Sequence, residues 1–136
     1  MKQLIAIAIG MMLISSCKKE NDQKGLWRQF SGTWEYERYN GYPFSNTYLP
    51  PGNGRIIVLS ENGDFQRKKN DTVLFKGRYS ITNKDDCQRR ETNWFFTAND
   101  TAFQWGDYIE IENGMLVLST SNCLADGGSV FYRKLP

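Results

Sequence analysis

From Thr33 onward, apolar and polar residues alternate with a period of two along much of the chain. The alternation is clearest at 72–81: Val73, Phe75, Gly77, Tyr79 and Ile81 fall on one face, and Leu74, Lys76, Arg78 and Ser80 on the other. Trp34 and Tyr36 oppose Glu35 and Glu37 in the same way. Asn-Gly pairs at 40–41, 53–54, 62–63 and 113–114 accept positive φ and signal hairpins between such runs. The pattern predicts strands near 33–39, 54–60, 63–69, 72–81, 91–97, 107–112, 114–120 and 129–135. Short strands joined by tight turns predict an all-β domain, an eight-stranded up-and-down antiparallel barrel whose closure removes exposed edges. Leu26 and Phe30, spaced i, i+4, predict a short N-terminal helical turn over one end. The expected inward residues are Trp34, Tyr36, Ile56, Val58, Phe65, Phe75, Tyr79, Trp94, Phe96, Ile109, Ile111, Val117 and Tyr132.

The first sixteen residues follow a different pattern. Lys2 precedes an almost wholly apolar run from Leu4 to Ile14, then small Ser15 and Ser16. That is the order of a secretory signal, and the run is too short to span a bilayer, which needs about 20 residues. Leu13-Ile14-Ser15-Ser16-Cys17 resembles the lipobox read by bacterial lipoprotein signal peptidase. The resemblance implies cleavage before Cys17 and acylation of that cysteine, so that the lipid on Cys17 holds the chain to a membrane. Lys18, not Asp, follows Cys17, which resembles sorting to the outer membrane of a Gram-negative envelope. Lys18 to Lys24 has no apolar residue and reads as a solvated tether. The expected organisation is a signal peptide (1–16), a lipidated tether (17–25) and one barrel domain (26–136).

Composition narrows the function. The formal charge is +2, which gives no electrostatic reason to expect nucleic acid. The chain has no histidine, so Ser-His-Asp and Cys-His systems and any His-containing zinc site are excluded. The expectation is a protein that is not an enzyme and uses no cofactor or metal. Asp85-Asp86 and Asn99-Asp100 read as solvated turns, and Arg67-Lys68-Lys69 as a solvated hairpin arm. Gly52-Asn53-Gly54 lacks the Lys and the following helix of a phosphate loop.

With Cys17 acylated, Cys87 and Cys123 remain. An even pair in an oxidising compartment favours a disulfide, and two free thiols are the alternative. The bond would close a loop of 36 positions (123 − 87), for which chain entropy gives about 4 kcal/mol.

Gly32-Thr33-Trp34 resembles the Gly-x-Trp start of lipocalins. Gly77-x-Tyr79-x-Ile81, Leu116 to Ser119, Asn122-Cys123, Asp126-Gly127 and Phe131 to Lys134 resemble segments of small bacterial lipocalin-like lipoproteins. The resemblance implies an eight-stranded barrel with a lid after the first strand. It also implies a late arginine packed across the Gly-x-Trp tryptophan. Arg133 would then cover Trp34; a surface position for Arg133 is the alternative.

The Asn40–Asn53 connection holds three aromatic residues and the Pro50-Pro51 pair, a preorganised apolar loop. Tyr42, Phe44 and Tyr48 are therefore expected to border a bound molecule, with Trp34 and Trp94 deeper; the alternative is that these rings plug the barrel. The leading reading is an envelope lipoprotein that binds a small apolar or amphipathic ligand at the barrel mouth. The alternative is a protein-interaction module with a filled barrel that docks on an envelope protein. A cavity of about 300 Å³ or more favours the first.

Overall fold

The computed structural model describes residues 23–41, 47–83, 94–101, 107–120 and 127–136. A helix, α1, covers residues 23–30. Nine strands follow: β1 (Gly32–Gly41), β2 (Thr47–Tyr48), β3 (Arg55–Leu59), β4 (Asp64–Lys69), β5 (Thr72–Asn83), β6 (Trp94–Ala98), β7 (Asp107–Glu112), β8 (Met115–Ser119) and β9 (Gly128–Lys134). β1 and β3 to β9 pair in chain order, every pair antiparallel, and β9 returns to β1. Eight strands thus close the barrel that the alternation predicts. The two-residue β2 was not expected; it pairs Arg38 with Tyr48 and Tyr39 with Thr47 along the far half of β1.

The Asn-Gly pairs do different jobs. Asn113 and Gly114 both have positive φ, 51° and 78°, and make the two-residue turn between β7 and β8. Gly63 has φ 84° and donates its N–H to the Ser60 carbonyl at 3.1 Å, which reverses the chain between β3 and β4. Asn40-Gly41 is not a turn: β1 runs through it, pairing Asn40 with Ser129 and Gly41 with Gly128. The Tyr39 ring lies over that glycine pair. A Cβ on Gly128 would stand 2.3 Å from its hydroxyl, so these glycines serve close approach rather than reversal.

α1 closes one end of the barrel. Phe30 is fully buried, and Trp34 Nε1 donates to the Phe30 carbonyl at 3.0 Å, which joins the helix to β1. Gln23 Nε2 donates to the Ile81 carbonyl at 2.8 Å. Trp27 meets Tyr79 edge-on at 6.3 Å and lies over Gly63, where a Cβ would stand 2.7 Å from its ring. Toward this end the interior is packed with rings: Phe96 lies 6.0 Å from Phe65 and 5.8 Å from Tyr79. Each such buried side chain contributes about 1.5–3 kcal/mol.

The phase of two strands differs from expectation. Ile57 and Leu59 belong to the core, not Ile56 and Val58. Leu116 and Leu118 point inward on β8, and Val117, though buried, faces the other way. Both strands are apolar on both faces, so alternation cannot set their phase. Pairing does: Ile57 lies opposite Trp34, and Leu116 opposite Tyr132. Ile111, expected inward, is exposed near the end of β7.

Candidate functional site

A cleft of about 400 Å³ opens at the end of the barrel away from α1. Its lining comes from β1, β3, β4, β5 and β9. The β3–β4 hairpin explains why charge enters it. Phe65 is a core residue on β4, so the period of two carries Arg67 and Lys69 to the same inward face. Arg67 pairs with Ile57 and Lys69 with Arg55, so these four side chains share that face. On the adjoining β1–β9 wall, Tyr36 and Tyr132 meet edge-on at 5.9 Å. The Arg55 guanidinium lies 5.7 Å from the Tyr36 ring. Burial raises the Tyr36 hydroxyl pKa above its ordinary value, with Arg55 opposing, so Tyr36 stays protonated at neutral pH.

Leu74 forms the lip. The β4–β5 register steps from Arg67–Phe75 to Lys68–Val73, which leaves Leu74 as the extra residue of a bulge. It lines the cleft while 53% exposed.

Arg67 is internally neutralised. Its Nε donates to Asp100 Oδ2 at 2.5 Å and its Nη2 to Oδ1 at 2.9 Å. Asp100 is buried at 1% exposure, contrary to the solvated turn expected of it. The hydrogen bond to Asp100 raises the Arg67 pKa against the opposing effect of burial. Among the described residues, by contrast, Arg55 has no ion pair, and Lys69 reaches only the Asn53 carbonyl at 3.4 Å. Among the described residues, four basic side chains line the cleft (Arg55, Arg67, Lys68 and Lys69), and no carboxylate does. Asp71 sits in the adjoining turn, exposed.

The outer wall beside the mouth carries a separate arrangement. Glu35, 2% exposed, accepts the backbone N–H groups of Gly52 at 3.0 Å and Gly54 at 3.2 Å. Asn53 clamps the same loop by donating to the Tyr36 and Pro50 carbonyls. The glycine loop therefore does hold an anion, one supplied by the chain itself. Arg133 Nε lies 3.7 Å from Glu35 and 3.6 Å from Glu37, and its Nη2 donates to the Leu49 carbonyl at 2.8 Å.

Arg133 consequently does not cover Trp34. Lys134 does, with its Nζ 5.3 Å from the ring. The register decides this, because Trp34 pairs with Lys134 and Glu35 with Arg133. Gly32 leaves the room: a Cβ there would meet both the Lys134 stem and the Trp34 ring.

The residues singled out by sequence are dispersed. Trp34 is buried beside α1. Trp94 packs against the core from the start of β6. Tyr48 is 58% exposed, its ring 5.9 Å from the Arg133 guanidinium on the outer wall. None of these three lines the cleft. Tyr42, Phe44, Cys17, Cys87 and Cys123 lie outside the described residues. The cleft's basic residues are not the solvated arm that their run of charge suggests; the alternation from Phe65 signals Arg67 and Lys69 as inward.

A second hollow, of about 570 Å³, is more open and lies beside Trp27, Arg78 and Thr97. No protein-family model, curated protein or solved structure matches the chain.

Proposed function

We propose that this chain holds a small apolar or amphipathic molecule in the open end of its barrel, without catalysis, as a lipid-anchored protein of the cell envelope. The observation that carries the ligand reading is the half-open cleft of about 400 Å³. That volume falls within the range of small-molecule sites. Its walls offer aromatic and aliphatic surface from Tyr36, Ile57, Val130 and Tyr132, with a few charged groups at the rim. A barrel closed by a helix at one end and hollow at the other agrees with the lipocalin-like plan that Gly32-Thr33-Trp34 resembles. The envelope reading rests on the apolar leader and on Cys17 in its lipobox-like setting.

Native mass spectrometry of the protein purified from its own envelope tests the ligand reading. The expected result is a retained small molecule that dissociates on unfolding. A protein that purifies empty and binds no apolar probe saturably would end this reading. Stable co-purification of a second protein with an empty cleft would favour the interaction module instead.

A further inference from the structure

We propose that the molecule held in the cleft carries an anionic head, a carboxylate or phosphate on a short apolar chain, and that Arg55 and Lys69 bind that head at the rim. This rests on the cleft being a binding site. The charge distribution is the reason. Arg55, Arg67, Lys68 and Lys69 line one small cleft, and none of the other described lining residues is a carboxylate. The whole chain carries only +2, so this concentration is local rather than a reflection of a basic protein. Of these groups, Arg67 is already satisfied by Asp100. Arg55 and Lys69 pair across β3 and β4 on the same inward face, and neither has an acidic partner among the described residues. An anion between them would relieve their mutual repulsion, while a cationic head would add to it. The Arg55 guanidinium stands beside the Tyr36 ring, where the charged rim meets the apolar wall. An amphiphile with its chain along Tyr36, Ile57 and Tyr132 would place its head at that junction.

Calorimetric titration of the purified protein with decanoate, decyl phosphate, decanol and decyltrimethylammonium tests this. The two anions should bind about tenfold more tightly than decanol, and the cation should not bind measurably. Raising the salt should weaken the anions alone. The double substitution Arg55→Gln with Lys69→Gln should bring decanoate to the affinity of decanol and leave decanol within about twofold. Both side chains stand at the rim, so circular dichroism should show an unchanged fold. If decanol matches decanoate in the native protein, the cleft stands as an apolar site and the anionic head is wrong. If none of the four binds, the cleft is not a site and both readings fall. Phosphatidylglycerol vesicles, with phosphatidylcholine as control, separate the two sources of such a head. Vesicle binding displaced by decanoate assigns it to a membrane lipid, and decanoate binding without vesicle binding assigns it to a free amphiphile. Vesicle binding that decanoate leaves untouched would place these cations in a surface contact and overturn the proposal.

Discussion

Arg67 and Asp100 form a bidentate ion pair at the open end of the barrel, across 33 positions of sequence. The carboxylate is 1% exposed, whereas the arginine side chain keeps 30% of its exposure. Arg67→Met should therefore cost more than it first appears, because the cost lies in the buried Asp100 left without its guanidinium. We expect a loss of about 3 kcal/mol, at the low end for a broken buried pair because Arg67 is partly solvated. Combining it with Asp100→Asn should recover part of that loss. Urea unfolding of the parent and the two variants checks this, and Arg67→Met within about 0.5 kcal/mol of the parent would show that the pair is not structural.

Glu35 supports the mouth from outside. Glu35→Ala would leave the Gly52 and Gly54 N–H groups without their acceptor and remove a carboxylate from Arg133. The expected loss is about 2–4 kcal/mol in urea unfolding. Increased amide exchange at Gly52 and Gly54 should accompany it. A stable variant with unchanged exchange would mean that the loop holds its shape without the carboxylate.

The barrel was legible in the sequence because its strands alternate and its turns carry asparagine and glycine. The inward direction of β5 follows from Phe75 to Ile81, but Val73, expected on the same face, is 39% exposed beyond the bulge at Leu74. Legibility failed where both faces of a strand are apolar, as in Ile56-Ile57-Val58, because only the pairing with Trp34 sets that phase. It failed also where a charge is buried. Asp100 and Glu35 look like surface residues until Arg67, or a glycine loop 17 positions away, is brought to them by the fold. The cleft was hidden for the same reason. Its basic residues come from a run that resembles a solvated arm, and Leu74 enters it only through a bulge.

Tyr79 gives the protein an alkaline limit. Its hydroxyl donates to the Ser60 carbonyl at 2.8 Å, and burial raises its pKa well above the ordinary 10.0, with Glu61 adding to the effect. A raised folded-state pKa means that its stabilisation is complete below pH 10 and declines above it, as the unfolded chain ionises first. Unfolding free energy should fall by up to about 1.4 kcal/mol per pH unit from this group above pH 10. Tyr79→Phe should lose about 1 kcal/mol at pH 7 and flatten that alkaline decline. Equal slopes in the two proteins between pH 9 and 11 would assign the decline to other groups.

The anchoring reading has a direct test at Cys17. Several acyl chains at about 0.8 kcal/mol per buried CH₂ make membrane attachment stable. Cys17→Ser should release the domain from the membrane fraction and abolish labelling by radioactive palmitate. A variant that remains membrane-bound at parental levels would show that the chain is held by something other than a lipid on this residue.

The cleft and the outer wall can be told apart with two exposed residues. Leu74 is 53% exposed and lines the cleft; Tyr48 is 58% exposed and lies against Arg133 outside it. Neither is buried, so Leu74→Asp and Tyr48→Ser should each change stability by less than about 0.5 kcal/mol. Their effects on a bound apolar probe should differ. An aspartate at the lip places a hydrated charge where apolar surface borders the ligand, so Leu74→Asp should weaken decanol binding about tenfold. Tyr48→Ser should leave it within twofold, since that ring does not line the cleft. The reverse pattern would move the binding surface to the outer wall beside β2, around Tyr48 and Arg133. Loss of binding in both variants would mean that the site reaches from the lip to the outer wall at Tyr48.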